Sequence, residues 1–282
     1  MILVIFTGSR YADWRIADKG KVLHGFRTTG INPYIQGENF INQILNKNTD
    51  LLYNAEKVKK IFFFGAGASS KERQDKIAKV FTSFFKNAKI RVDHDLQASA
   101  ISTLGDEKGI VGIIGSGSNA AYYNGRKIIE NNYGLGYILA DEGSTNWLGQ
   151  QLLRDFITDA LPQGIREKLV EKHGLDRKLI LDKTYNSPNP NIFLTSFADF
   201  INENKNDPYI ASLIKKGLET YVKEYLLPLV DMYPDASISM SGSVAYNYSE
   251  WLLEIAKEYH LNIVAIIKEP IQNLIKYYIN KN

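Results

Sequence analysis

The sequence predicts an α/β protein whose two halves repeat one order of elements, and three observations carry this prediction. Short apolar runs of strand length alternate with longer segments of helical spacing. Each half begins with a strand, a Gly-Ser turn and a second strand, and the two turns contain Gly8-Ser9 and Gly117-Ser118. A duplicated β-meander with inserted helices that closes around a cleft is one way to build a nucleotide clamp. A nucleotide is therefore the first ligand that we expect.

The first half is predicted to be a three-stranded meander followed by alternating helices and strands. The runs of apolar and β-branched residues predict strands over 2–6, 14–17, 21–27, 60–64 and 89–92. Apolar residues at helical spacing predict helices over 37–45, 68–86 and 96–104. The turn Asp18-Lys19-Gly20 joins the second strand to the third.

The second half restarts the same pattern. A buried strand is predicted over 109–114, followed by a hairpin of 120–123 with 126–129 about Asn124-Gly125, a dipeptide typical of tight hairpin turns. Mostly helical sequence runs over 144–233, with breaks near Pro162 and over 186–191. The remaining elements are predicted as strand 236–240, helix 249–259, strand 262–267 and helix 271–279.

The composition excludes several classes of function. The 282 residues carry a net charge of +3, and their basic residues are dispersed, so we expect no nucleic-acid partner. Without Cys there is no disulfide and no Cys nucleophile, and the four His are too far apart for a His-pair metal site. The apolar start is too short for a signal peptide, and no apolar run could span a membrane. We therefore expect a cytoplasmic protein with no membrane partner.

Glycine-rich turns are the first candidate sites. Backbone N–H groups of a tight turn converge on an anion, and Gly lets a phosphate approach. The sequence over Gly115-Ser116-Gly117-Ser118 follows a buried strand and fits such a phosphate hairpin, although a simple turn has the same pattern. The P-loop motif is absent. The stretch FFFGAGASS imitates a dinucleotide-binding loop through Gly65 and Gly67, but Ser70 replaces its third glycine, so an ordinary strand-to-helix loop is favoured.

Carboxylates that follow apolar strands are the candidates for acid–base chemistry. Asp95 lies at a strand-to-helix junction, where it is either a helix N-cap or a base that reaches into a cleft. Asp141 and Glu142 stand in a glycine-rich loop just before a helix. Asn32, between Gly30 and Pro33, is a candidate amide for binding a sugar hydroxyl.

Three segments resemble one family when they are taken together. HDLQASAISTLGDEKGIVGIIGSGSNAAYYNGRKI, LGYILADEGSTNWLGQQLL and MSGSVAYNYSEWL are similar to the BadF/BadG/BcrA/BcrD ATPases, and most to their N-acetylglucosamine kinase branch. The resemblance covers nearly the full length and implies an actin/hexokinase-like (ribonuclease H-like) fold with duplicated domains and a nucleotide cleft between them. It implies domains 1–106 and 107–269, with a final helix 270–282 that packs back on the first. It also implies ATP and Mg²⁺ as cofactors and an amino sugar as substrate. Whether the protein forms a homodimer stays open.

The resemblance also carries roles to individual positions, without assigning a metal ligand. Asp95 matches the catalytic base. Sugar binding is expected of Asn32, Asp141 and Glu142. Nucleotide binding is expected of Gly8, Ser9, Arg10, Gly115, Ser116, Gly117, Ser118, Gly242 and Ser243.

The first phosphate loop departs from the family. Its pattern Asp-x-Gly-x-Thr-Lys-x-Asp is met here at Gly8 and Asp13, but Phe6 replaces the first Asp, and Arg10 and Tyr11 replace Thr and Lys. Mg²⁺ on nucleotide phosphates is held by only one or two protein carboxylates, so the loss of one matters. Three explanations stay open: a weak kinase, a catalytically impaired sugar- or nucleotide-binding regulatory protein on the same fold, or an error in the recorded sequence.

Overall fold

The computed structural model describes residues 1–8, 11–129 and 133–281. Over these residues the strands are β1 (Ile2–Thr7), β2 (Tyr11–Asp18), β3 (Lys21–Thr29), β4 (Lys60–Gly65), β5 (Lys89–His94), β6 (Lys108–Ile114), β7 (Ser118–Asn124), β8 (Ile238–Ser241) and β9 (Ile263–Ile267). The helices before β6 are α1 (Glu38–Lys47), α2 (Thr49–Asn54), α3 (Lys71–Phe84) and α4 (Asp95–Leu104). Those that follow β7 are α5 (Thr145–Ile157), α6 (Gln163–His173), α7 (Arg177–Tyr185), α8 (Pro190–Thr195), α9 (Ala198–Glu203), α10 (Pro208–Tyr221), a π-helical turn (Val222–Leu226), α11 (Leu227–Met232), α12 (Ser243–Asn247), α13 (Ser249–Glu258) and α14 (Ile271–Asn280).

The chain divides into two compact units. Unit 1 comprises Met1–Gly109, Tyr123–Ile128 and Glu269–Asn282, and unit 2 comprises Ile110–Tyr122 and Ile129–Lys268. No helix in the described part of the chain is both long and apolar enough to cross a membrane.

Unit 1 is built on a five-stranded sheet in the order β3-β2-β1-β4-β5. The meander β1-β2-β3 is antiparallel, and β4 and β5 are added parallel to β1. Alternate residues of a strand face opposite sides, and one side of the sheet packs Leu3, Ile5 and Trp14 against Phe81 of α3. The other side carries α4 and α14, where the ring of Phe62 stacks on Tyr278 with centroids 3.7 Å apart.

Unit 2 repeats this arrangement with fewer strands. Its sheet has the order β7-β6-β8-β9, with β6, β8 and β9 parallel. Helices α5 to α11 form most of its core, whose largest buried side chains include Tyr221, Phe197 and Phe200.

The hairpin predicted for residues 120–123 with 126–129 is wrong in its outer strand. Residues 126–129 form no strand, and their backbone pairs with β7 through the isolated bridge Tyr123–Ile128. The side chain of Gln97 binds this segment instead, because its amide donates to the Arg126 carbonyl (3.1 Å) and accepts from the Ile128 N–H (2.9 Å). A buried glutamine on α4 therefore takes the place of a neighbouring strand.

Candidate active site

The first hairpin turns where β1 meets β2. The N–H of Gly8 donates to the carbonyl of Tyr11 (3.0 Å), and Thr7 pairs with Ala12. A side chain added to Gly8 would meet no atom within 4 Å, so the turn has open space on that side. The predicted nucleotide-binding residues Ser9 and Arg10 lie outside the described residues.

Phe6 lies in a row of residues that crosses the sheet on one face. It is in register with Asp13 of β2 and with Phe64 of β4, which in turn is in register with Asp93 of β5. Directly paired residues share a face. Phe6 is half-buried and, among the described side chains, is not one of those that pack on the main core of unit 1. The phenyl ring therefore shares a sheet face with two carboxylates, that of Asp13 on the neighbouring strand and that of Asp93 two strands away.

Asp13, the acid that the first loop retains, is engaged by a cation. It is 7% exposed, and Arg27 donates to both of its oxygens at 3.0 Å. Arg27 also bonds Glu269 at 3.1 Å, and the hydrogen bond to Asp13 raises the pKa of Arg27 above its ordinary value. Bidentate pairing of this kind is strong and fixes both groups.

The first hairpin consequently does not fit a protein-bound Mg²⁺ ion. Such an ion takes oxygen ligands, whereas the strand end offers Phe6 and both oxygens of Asp13 are bonded to Arg27. Among the described residues, no group of three or more His, Cys, Asp or Glu is placed to hold a metal.

The loop that follows β3 is fastened to the end of β1. The hydroxyl of Thr7, which is fully buried, accepts from the N–H of Ile31 at 2.7 Å. Within the loop, the side chain of Asn32 accepts from the N–H of Tyr34 (3.0 Å), and Gln36 accepts from the N–H of Asn32 (2.8 Å). The amide of Asn32 is thus held in a defined place beside the first hairpin.

Close packing explains the two glycines of the loop after β4. A Cβ on Gly65 would lie 2.5 Å from Cγ2 of Thr7, and one on Gly67 would lie 2.1 Å from Oδ1 of Asn32. Gly67 also has φ +78°, a conformation that favours glycine. Ser70 then caps α3 by accepting from the N–H of Arg73. Gly65 thus leaves room for Thr7 and Gly67 leaves room for Asn32, which accounts for the dinucleotide-like motif without a dinucleotide.

Asp95 lies at the same edge of the sheet. Gly65 ends β4 in register with His94, so Asp95 follows at the level of the glycine loop. Asp95 is the first residue of α4, not its N-cap, which is His94. Its half-buried carboxylate accepts from the N–H of Leu96 at 2.9 Å. The structure thus brings together the first hairpin, the Asn32 loop and Asp95 at the carboxyl ends of β1, β4 and β5.

The hairpin of unit 2, which turns over residues 115–118 between β6 and β7, is closed by the start of α5. Gly115 N–H donates to the carbonyl of Gly117 (2.9 Å), while the first N–H groups of α5 donate to Gly115 and Ser116 carbonyls (2.9 and 3.2 Å). Gly242, with φ +110°, packs on the same hairpin, because a Cβ there would lie 2.3 Å from the Ile114 carbonyl oxygen. Helix α12 begins at the next residue, Ser243. The predicted nucleotide-binding residues of unit 2 therefore lie side by side.

Asp141 contacts the hairpin of unit 2 directly. The N–H of Ser118 donates to its carboxylate at 3.0 Å, and Asn146 donates to the other oxygen at 3.3 Å. A Cβ on Gly117 would lie 2.8 and 2.9 Å from the two carboxylate oxygens. In this structure it is therefore Asp141 that occupies the space left by the absent side chain of Gly117, where the sequence suggested only a phosphate.

The backbone of Asp141 is held in an unusual conformation. Its φ is +71°, which is uncommon for a residue with a side chain and persists where the surroundings fix it. The hydroxyl of Tyr225 accepts from the N–H of Asp141 (3.1 Å) and donates to the carboxylate of Glu142 (2.5 Å). Burial and the bond to Glu142 raise the pKa of Tyr225 above its ordinary value, so the hydroxyl keeps its proton.

Tyr225 was not among the residues that the sequence suggested. It lies on the π-helical turn between α10 and α11, and such turns are frequent at functional sites. Its ring stacks on Tyr221 with centroids 4.8 Å apart. The signal that could have found Tyr225 is the tyrosine pair four residues apart in a helical segment, but that pattern alone is typical of a core.

The chain is similar to proteins of known structure. No protein-family model and no curated protein matches the sequence. A solved structure from Porphyromonas gingivalis, provisionally named an N-acetylglucosamine kinase, is 32% identical, with a TM-score of 0.92 and 99% of each chain covered.

Two remoter structures share the fold. One, from Chromobacterium violaceum, has the same provisional name; it is 16% identical, with a TM-score of 0.72 over 99% of this chain and 98% of that one. The other is a glucokinase of the ROK family from Streptomyces griseus in complex with glucose and AMPPNP. It is 12% identical, with a TM-score of 0.60 over 98% of this chain and 97% of that one.

Proposed function

Since this chain belongs to the N-acetylglucosamine kinase-like branch of the BadF/BadG/BcrA/BcrD ATPase family and has its actin/hexokinase-like α/β fold, we propose that it is a sugar kinase. It transfers the γ-phosphoryl group of ATP to a hydroxyl of N-acetylglucosamine or a related amino sugar. A bond forms between that hydroxyl oxygen and γ-phosphorus, the bond to the β,γ-bridging oxygen breaks, ADP leaves, and the hydroxyl proton passes to a base of the protein.

Asp95 is the proposed base, and Asn32 binds the sugar beside it. A general base must reach the proton that it removes, and the half-buried Asp95 carboxylate stands at the strand edge where the Asn32 loop is fastened. Removal of the proton gives the attacking oxygen its charge, and the fixed amide of Asn32 orients the sugar.

The two hairpins and the turn at Gly242 are proposed to hold the nucleotide. Phosphoryl transfer depends mainly on positioning and electrostatic stabilisation, and backbone N–H groups of tight turns supply fixed dipoles for this. Asp141 and Glu142 are proposed to bind sugar hydroxyls. Mg²⁺ would enter on the phosphates of ATP, because the first hairpin offers it no carboxylate.

The observation that carries the proposal is the strained, buried Asp141 held against the Gly-Ser hairpin by the N–H of Ser118. A fixed carboxylate beside a candidate phosphate turn suits an enzyme that must orient a sugar hydroxyl next to a phosphate, because a carboxylate accepts the hydrogen bond of a hydroxyl. The test is release of ADP from ATP in the presence of each member of a panel of amino sugars. Release with at least one amino sugar is expected, and its absence with every sugar would contradict the kinase.

The role of Asp95 has its own prediction. We expect Asp95→Asn to lower kcat by at least about 100-fold, the usual scale for loss of a general base, while the dissociation constant for the sugar changes little. Asp93→Asn is the matched control, because Asp93 lies on the same strand end but is paired with Arg91 at 3.2 Å. Turnover by Asp95→Asn equal to that of the control would remove Asp95 from the mechanism.

A second candidate function rests on Phe6. A sugar- or nucleotide-binding regulatory protein on the same fold needs the loops but not the acid of the first hairpin, and Arg27 has neutralised the acid that remains. Binding of ATP and amino sugar without any release of ADP would favour this alternative.

A further inference from the structure

An open cavity of about 430 Å³ in unit 1 lies apart from the candidate active site. Its lining includes Lys60, the first residue of β4, whereas the glycine loop of the active site follows the last residue of that strand. Arg126 and Lys281 line it from the segment after β7 and from the end of α14. The cavity is thus at the amino end of β4, and none of the roles described above uses it.

The charges around this cavity are unbalanced. Lys60, Arg91, Arg126 and Lys281 line it, and Asp106 is the one carboxylate among its described lining residues. Asp106 is already engaged, because the hydroxyl of Tyr277 donates to one oxygen at 2.6 Å and Lys281 binds the other. A concave surface with an excess of one sign concentrates ions of the opposite sign.

Two of the cations are arginines with donors to spare. Arg91 bonds the carboxylate of Asp93 through a single nitrogen at 3.2 Å, although a guanidinium carries five N–H donors. Arg126 is exposed, and its guanidinium makes no hydrogen bond or ion pair with the part of the chain that the structure describes. The planar fork of arginine matches the oxygens of a phosphate.

The tyrosines of the cavity add neutral hydroxyls and no negative charge. Burial raises the pKa of Tyr123 to about 12, and burial with the Asp106 hydrogen bond raises that of Tyr277 to about 12. Both hydroxyls are therefore protonated at neutral pH, and the excess of positive charge is not offset by them.

We propose that this cavity binds a phosphate monoester of a small polar molecule, such as a hexosamine phosphate. The guanidinium groups of Arg91 and Arg126 bind the phosphate oxygens, and the body of the ligand lies against the Tyr277 ring. A nucleotide base is disfavoured, because Phe62 and Tyr278 stack on each other at 3.7 Å and leave no slot between their faces. The product of the proposed reaction belongs to this class, but the site does not depend on that reaction.

The experiment is calorimetric titration of the nucleotide-free protein with glucosamine 6-phosphate, inorganic phosphate and unphosphorylated glucosamine. We expect saturable binding of the two phosphates by the wild type. In the double variant Arg91→Gln/Arg126→Gln this binding weakens at least about tenfold, because charge-assisted hydrogen bonds to the phosphate are lost. Tighter binding of glucosamine 6-phosphate than of inorganic phosphate assigns a role to the body of the ligand.

The control is Lys47→Gln/Lys86→Gln, which removes two exposed positive charges of unit 1 outside the cavity. It separates specific binding from an effect of net charge, and it should bind as the wild type does. Phosphate affinity that is equal in the wild type and both double variants would place the binding at the phosphate hairpins and overturn the proposal. Absence of saturable binding by the wild type, or equal weakening in both double variants, would also overturn it. Release of ADP is measured separately, so failure here leaves the kinase proposal standing.

Discussion

Tyr225 and Asp141 show how single residues set the geometry of the acidic loop. The hydroxyl of Tyr225 accepts from the N–H of Asp141, whose φ is positive, and donates to the carboxylate of Glu142. A change of Tyr225 to Phe removes this hydroxyl and keeps the ring that stacks on Tyr221. We infer that Tyr225 is a positioning residue for the two acids that are proposed to bind the sugar.

We expect Tyr225→Phe to raise the KM for the amino sugar about tenfold while the KM for ATP changes little. The reason is that a hydrogen bond to a charged group contributes about 1.5–3 kcal/mol, and its loss frees Glu142 from its fixed place. Steady-state kinetics with each substrate varied in turn makes the measurement, and calorimetry gives sugar affinity independently of turnover.

Tyr221→Phe is the matched control for this prediction. Tyr221 stacks on Tyr225 and donates to the carbonyl of Asn119 at 3.0 Å, so its variant also loses one buried hydroxyl. The two variants should lose comparable thermal stability, but Tyr221→Phe should keep the wild-type KM for the sugar. Equal changes of KM in both variants would mean that Tyr225 acts only through packing.

At the scale of elements, the loops after β3 and β4 form one assembly around Asn32. Gly67→Ala introduces a Cβ that would lie 2.1 Å from Oδ1 of Asn32, and Ala is also strained at φ +78°. We expect this variant to displace Asn32 and to weaken amino-sugar binding at least about tenfold, with a smaller effect on ATP binding, both measured by calorimetry.

Gly20→Ala separates the two causes. Gly20 has φ +79°, but a Cβ there meets no atom within 4 Å, so its variant carries the backbone strain without the clash. Thermal stability should fall in both variants, while sugar affinity should fall only in Gly67→Ala. Loss of sugar affinity in Gly20→Ala as well would show general destabilisation.

The elements also show how far the sequence could be interpreted. Apolar runs predicted the strands of both sheets, such as β1 and β4, because burial on both sides leaves a continuous apolar pattern. The strand predicted over 126–129 was wrong because Asn124-Gly125 specifies a turn but not what pairs beyond it. Contacts between distant residues, such as Ser118 with Asp141, have no local signal, and the π-helical turn has none either.

At the scale of the whole molecule, each unit begins with a strand, a Gly-Ser turn and a second strand, but the residues around the two turns differ. In unit 2 a carboxylate, Asp141, accepts a hydrogen bond from the hairpin. In unit 1 the strand that leads into the hairpin carries Phe6, and the residue paired with it, Asp13, is bonded to Arg27. The residues around the two turns therefore differ in chemistry, and the enzyme and the binding protein make different demands on the turn of unit 1.

Replacement of Phe6 tests that choice. We expect Phe6→Asp to raise Mg²⁺-dependent phosphorylation of the amino sugar about tenfold, since a positioned metal neutralises charge on the transferred group. The fold should persist, because Phe6 is half-buried outside the main core of unit 1 and Arg27 neutralises the neighbouring Asp13.

Phe6→Asn is the control, because its side chain has nearly the shape of Asp but carries no charge. A gain in Phe6→Asp alone identifies a kinase loop that lacks its acid, whereas an equal gain in both variants assigns the effect to removal of the ring. A fall in melting temperature with no gain in Phe6→Asp would mean that the ring stabilises the sheet and that this hairpin serves binding without metal-assisted transfer.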